Sequence, residues 1–198
     1  SKKDHAILLD CATVSYDYAP LDLKDNVILI LNTNKRRDLV TSKYNERCAE
    51  CATGLKIVQE NYKNVKFLCE LEESDLEAIK PLIENEIVYN RVRHVVSEMA
   101  RVKKAFACLT EGDLETVGKL LNASHHSLQY DYEVTGKELD TIVSVAQSCK
   151  GVLGARMIGA GFAGCAIAIV KASEVESVTE KVKAGYLTEI GYACDIYV

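Results

Sequence analysis

Arg156-Met157-Ile158-Gly159-Ala160-Gly161-Phe162-Ala163-Gly164-Cys165-Ala166-Ile167-Ala168-Ile169-Val170 is the stretch on which the fold turns. Its centre, Gly159 to Gly164, matches G-x-G-x-x-G letter for letter. That fingerprint grips a dinucleotide only where a helix opens at its last glycine, because the N–H groups of the helix start meet the pyrophosphate. Here the apolar run Cys165-Ala166-Ile167-Ala168-Ile169-Val170 follows, and its pattern is that of a strand. A protein-kinase glycine loop fails too. Lys171 comes too soon after the loop, and the chain has neither His-Arg-Asp nor Asp-Phe-Gly. From the residues alone the segment is a glycine-rich loop joining strands over 155–158 and 165–170, with glycines that permit positive φ.

Working outward, residues 192–198 give a last strand, and three helices announce themselves by capping boxes: Ser74 with Glu77, Thr135 with Glu138 and Ser173 with Glu176. Gly151 and Gly185 are natural stops for the last two. The C-terminal order is then helix, strand, glycine loop, strand, helix, strand. Further upstream, Val88, Val92, Val95, Met99, Val102, Phe106 and Leu109 form one helical stripe, as do Tyr44, Cys48, Cys51, Leu55, Val58 and Tyr62, with Ser42 a cap for the earlier helix. Another helix is expected from Asp113 to about Leu128. The opening reads as strands over 5–18 and 27–31, separated by Pro20 and an Asp-rich turn. The class is α+β, an antiparallel sheet packed with helices. With no repeat, linker or low-complexity tract, residues 1–198 are one unit.

Composition narrows the function. The chain has 198 residues, 48% hydrophobic and 27% charged, which is enough to bury a core without metals or disulfides. A net charge of -5, with Lys35-Arg36-Arg37 the one basic run and Asp38 directly after it, argues against nucleic acid. No run approaches the ~18 apolar residues of a membrane span, and Ser1-Lys2-Lys3-Asp4-His5 opens no signal segment, so a cytoplasmic protein is expected. The 8 cysteines sit within apolar stretches and read as reduced, buried thiols. Cys48-Ala49-Glu50-Cys51 is a single C-x-x-C with no second pair; its cysteines lie on a helical stripe and are assigned to packing, not to a metal. His94 is assigned a structural role, and His125-His126 no chemistry.

Several stretches together resemble the galactokinases of the GHMP kinase superfamily. Residues 156–165 are similar to their third conserved motif. His5 to Asp10-Cys11, Asn32-Thr33-Asn34, Ser42-Lys43-Tyr44-Asn45-Glu46-Arg47 with Glu50-Cys51, Arg91 to Glu98, and Asp131-Tyr132-Glu133-Val134-Thr135 with Glu138-Leu139-Asp140 follow in the family's order. The middle stretches are peculiar to galactokinases. The departures are Ile158 for threonine, Ala163 for glycine, Cys48 for a second arginine, and Gln129-Tyr130 for Arg-Asp.

The resemblance implies the C-terminal domain of the GHMP kinase fold, ferredoxin-like in its C-terminal part, with residues 1–34 a strand segment joining it to an N-terminal domain. It implies phosphoryl transfer from MgATP to the anomeric hydroxyl of galactose. Tyr44 would touch the sugar, Arg37 would approach the active site, and Gly159, Ala160, Gly161, Phe162, Ala163 and Gly164 would lie beside the phosphates. The family's motif Gly-Arg-x-Asn-Leu-Ile-Gly-Glu-His-Thr-Asp-Tyr and its phosphate loop Gly-Leu-Ser-Ser-Ser-Ala do not occur in the sequence. The catalytic aspartate belongs to a segment that would precede Ser1, so no catalytic residue and no metal ligand is assigned here. The chain alone is expected to be inactive, to hold neither ATP nor Mg²⁺ tightly, and to self-associate through the cleft face. The alternative is a non-catalytic, galactokinase-like sensor of sugar and ATP.

Overall fold

The computed structural model describes residues 2–11, 13–36 and 40–198, and the side chains of all of these except 40–42. The first 34 residues divide between two sheets. β1 (His5–Asp10) and β2 (Ser15–Pro20) form an antiparallel pair of their own, whereas β3 (Asn26–Asn32) is an inner strand of a four-stranded sheet. The other members are β4 (Val152–Met157), β5 (Cys165–Lys171) and β6 (Asp195–Tyr197), in the order β4-β5-β3-β6. All neighbours are antiparallel. Numbered along the chain, these strands run second, third, first, fourth across the sheet, which is the split βαβ arrangement of ferredoxin-like folds. The α+β reading and its ferredoxin-like part are therefore both present.

Helices fill the interval between β3 and β4: α1 (Val40–Asn61), the four-residue α2 (Leu76–Ile79), α3 (Glu86–Glu111), α4 (Leu114–Tyr130) and α5 (Lys137–Ser148). α6 (Val175–Ile190) crosses from β5 to β6. Side chains alternate across the sheet, so Leu29, Leu31, Ala166, Ala168 and Val170 face one core with Leu139, Ile142 and Val143 of α5 and Val178, Val182 and Tyr186 of α6. Ile28 and Ile169 point the other way, towards Cys108 of α3 and Val117 of α4. A second helical core joins Val58 of α1 to Val88, Val92 and Val96 of α3. α4 lies directly on β4, where a β-carbon at Gly154 would fall 2.0 Å from the Gly118 carbonyl oxygen. Only glycines let the two backbones approach that closely.

Helix ends differ from the sequence reading. Asn85 caps α3 by accepting from the N–H groups of Ile87 and Val88, and Asp113 caps α4 by accepting from Thr116 N–H at 3.0 Å. None of the three expected capping boxes forms. The box near α2 is Glu72 with Asp75, two residues before Ser74, and the helix it leads to is a single turn. Glu138 pairs with Lys35 at 2.8 Å instead, and Gly136 stands at the cap of α5 with no side-chain bond. Ser173 falls within the short 3₁₀ turn ahead of α6. Nor does Gly185 end α6. It packs against Val145 of α5, and the helix continues to a left-handed Gly191.

Candidate glycine-loop cleft

Residues 158–164 make the loop between β4 and β5, and two segments hold it. At its end, the Gly164 carbonyl oxygen accepts from Thr33 N–H at 3.1 Å and from the Thr33 hydroxyl at 2.7 Å. Thr33 is wholly buried, and its own carbonyl takes the Tyr186 hydroxyl of α6 at 2.7 Å. At its tip, Phe162 N–H donates to the Val134 carbonyl oxygen at 2.6 Å. Gly161 passes the same oxygen at φ +82, leaving no room for a β-carbon. The loop is thus a rigid turn clamped between the end of β3 and the segment joining α4 to α5.

The start of α1 comes over this loop. The Lys43 ammonium lies 5.7 Å from the centroid of the Phe162 ring, a cation–π contact. Tyr44 beside it is 54% exposed, so the Tyr44 ring is not part of the core. Cys48, one turn on, is exposed as well. The stripe from Tyr44 to Tyr62 is covered only from Cys51 onward, where Leu55, Val58 and Tyr62 meet α3 and its surroundings. The packing role expected for Cys48 is therefore corrected, and Cys11 is likewise exposed; all 8 thiols are free. Arg37, expected near the same cleft, lies outside the described residues, as does the side chain of Ser42.

Beneath these two walls is a buried charge network that motif reading did not single out. Arg91 of α3 is 1% exposed. Its Nε donates to Glu50 of α1 at 2.7 Å, while its Nη atoms donate to the Asp131 carbonyl at 2.6 Å and to Glu133 at 2.5 Å. Arg47 adds a second bond to Glu50, and Arg93 binds the Asp131 carboxylate. Burial pushes the Glu50 carboxyl up, but the bonds from Arg91 and Arg47 outweigh it and hold it below the ordinary glutamate range. One guanidinium thereby fixes the helix carrying Tyr44 to the segment whose Val134 carbonyl receives the glycine loop.

His94 completes this layer, stacked on Tyr132 with centroids 4.4 Å apart and its Nδ1 2.9 Å from the Ser127 hydroxyl. Tyr132 reaches Cys51 at 3.7 Å, and burial pushes its phenol up. The only sequence signal for the network was that Arg47, Glu50, 91–98 and 131–135 all belong to the resembling stretches. Nothing local marks them as partners.

The surface over the loop therefore offers an exposed phenol, an ammonium group and a close-packed glycine backbone. That set suits a polar ligand carrying hydroxyls and anionic groups. Among the described residues, no group of three or more His, Cys, Asp or Glu side chains is placed to hold a metal ion. No helix among them is long and apolar enough to cross a membrane.

Comparison with known proteins agrees over the whole length. The family model "GHMP kinases C terminal" matches residues 105–187. A galactokinase of Clostridium tetani is 52% identical over 196 residues, which is 99% of this chain and 50% of that protein. A solved galactokinase of Lactococcus lactis in complex with galactose is 47% identical, with a TM-score of 0.94 over 98% of this chain and 50% of its own. The L. major mevalonate kinase, 18% identical, shares the fold at a TM-score of 0.58. The chain spans about half the length of the curated relatives it matches.

Proposed function

The chain belongs to the galactokinases of the GHMP kinase family, and from that premise we propose that it forms the C-terminal part of an enzyme that phosphorylates galactose with MgATP to galactose 1-phosphate. The observation that carries this reading is the 47% identity, across 98% of the chain, to a galactokinase solved with galactose bound. The exposed Tyr44, next in sequence to the Lys43 that lies over Phe162 of the clamped loop, supports it.

In the reaction the anomeric oxygen attacks the γ-phosphorus of ATP, its proton passes to a base, and the bond to the bridging oxygen breaks to release ADP. Catalysis of this kind rests on positioning and on stabilising charge. Tyr44 lends a hydroxyl to the sugar, with its ring against a pyranose face. Gly159 to Gly164 allow the phosphates to approach the backbone, with the Lys43 ammonium beside them. The base and most phosphate contacts would come from an N-terminal half, joined through the β1–β2 hairpin, and Mg²⁺, when bound with ATP, would supply further charge stabilisation at the phosphates. The whole enzyme is cytoplasmic, and this chain by itself is inactive and prone to self-association through the exposed cleft wall.

The test is coupled ADP release with ATP, Mg²⁺ and galactose, from this chain and from a longer protein containing it. Turnover is expected from the longer protein only. Activity of the chain alone within about a hundredfold of the longer protein would overturn the division of labour. A longer protein that binds both substrates without turnover would be a sensor.

A further inference from the structure

On the face of α4 and α5 lies a groove of about 560 Å³ that includes no residue of α1 or of the glycine loop. Two polar atoms are buried in its wall without a hydrogen-bond partner: Nε2 of His125 and Oδ1 of Asp140. The His125 side chain is only 6% exposed, and these two atoms stand 3.8 Å apart. The other ring nitrogen, Nδ1, lies 3.3 Å from the Met157 N–H and can only accept from it. Burial lowers the His125 pKa to about 4, so the ring is neutral at pH 7 and its single proton sits on Nε2. The wall therefore presents one donor and one carboxylate acceptor side by side. A single hydroxyl oxygen placed about 2.8 Å from each satisfies both, accepting from Nε2–H and donating to Oδ1.

The surroundings extend this pattern. Asn122 accepts from the Ala155 N–H at 2.9 Å and Gln147 donates to the Ala155 carbonyl at 2.9 Å, so each keeps the other half of its amide. At the rim Tyr130 is 58% exposed, its ring 4.6 Å from that of His126. An aromatic face beside a row of amides and hydroxyls is the chemistry that receives a sugar ring, whose C–H face is apolar and whose edge is polar. The carboxylates of Asp140 and Glu189, with no lysine or arginine in the lining, exclude an anion. Gln129 and Tyr130, where the galactokinase resemblance has Arg-Asp, both line the groove.

We propose that this groove is a second binding site, for a neutral polyhydroxylated ligand such as a pyranoside, with one hydroxyl seated between His125 and Asp140 and the ring against Tyr130. The site is independent of the cleft at the glycine loop and of the kinase reading.

The test is NMR of the 198-residue chain, following the His125 ring resonances through long-range ¹H–¹⁵N correlations while methyl α-D-glucopyranoside is added. A saturable shift is expected with Kd in the low millimolar range, roughly 1–20 mM, ordinary for a small neutral ligand. Tyr130→Ala, at an exposed position, should weaken binding at least about fivefold without altering melting. Tyr44→Phe should leave binding as it was, and inorganic phosphate should cause no shift. Three results would overturn the site: no saturable response up to about 200 mM, far above the expected range; an unchanged Kd in Tyr130→Ala; or a response to phosphate in place of the glucoside. A water molecule bridging His125 and Asp140 and nothing more would give the first of these.

Discussion

Gly161 passes so close to the Val134 carbonyl that a β-carbon on it would lie 2.0 Å from that oxygen, while the next N–H, that of Phe162, donates to the same atom at 2.6 Å. Two penalties therefore meet at Gly161, and both are in the backbone. A side chain at φ +82 costs about 1 kcal/mol by itself, and the clash adds more because a carbonyl cannot rotate away without losing its bond. Gly161→Ala should destabilise the chain by about 2–4 kcal/mol. Gly159→Ala is the control, since it has φ +78 but nothing within 4 Å, and should cost only about 1 kcal/mol. Equal urea midpoints for the two variants would show that the loop yields at Val134.

Tyr44→Phe separates binding from stability. The ring is 54% exposed, so melting of the chain should move by less than about 0.5 kcal/mol. In a longer, active protein, loss of one neutral hydrogen bond to galactose should lower kcat/KM by about two- to twelvefold. Unchanged kinetics would remove Tyr44 from the sugar site.

Arg91 is predicted to be the most costly side chain in the cleft wall to remove. Its guanidinium meets Glu50, the Asp131 carbonyl and Glu133 from a position 1% exposed. Arg91→Met leaves the largely buried Glu50 short of a partner and should cost about 3–5 kcal/mol. Arg91→Lys keeps the charge but cannot reproduce the fork, and should recover only part of that. Adding Glu50→Gln to Arg91→Met should cost less than the two separate losses combined, because the first change has already broken the shared bond. Strict additivity in denaturant titrations would contradict the coupling.

How far the sequence could be read follows from the range of each signal. The β4–loop–β5 unit was legible because Gly159 to Gly164 lies between two apolar runs, and the Asp113 start of α4 because a cap acts within its own turn. The period of α1 gave the correct face, but a period does not say what covers it, and so Cys48 was assigned to packing together with Cys51 although it is exposed. The Thr135 and Glu138 box failed for a related reason. Its carboxylate found Lys35, which the fold brings in from just beyond the end of β3. Gly185 likewise looks like a helix stop until Val145 of α5 is set against it. The Arg91 network and the His125–Asp140 pair unite residues from different elements, and no local pattern encodes such a meeting.

The last prediction concerns pH. His94 and His125 are both buried, and burial lowers each from the ordinary 6.5 to about 4. Below about pH 6.5 the unfolded chain takes up protons that the folded chain refuses. The stability associated with these rings is therefore complete above pH 6.5 and is lost as pH falls towards 4. At pH 5 each ring should cost about 2 kcal/mol relative to neutrality. Asp140, whose carboxyl burial raises above the ordinary aspartate range, works in the opposite direction by taking its proton first in the folded chain, so it offsets part of the loss at the acid end. Glu50 and Glu98 act in a lower window. Burial raises both, hydrogen bonds and arginine charges outweigh it, and their contribution begins to fall only below the ordinary glutamate range. Thermal melts at constant ionic strength should thus show a decline between pH 6.5 and pH 5 that precedes carboxylate titration. Replacing either histidine with glutamine should lower stability at pH 7 but roughly halve that slope. A melting temperature that is flat from pH 7 to pH 5 would mean that the two rings accept protons without unfolding, and hence that neither is sealed from water as the structure has it.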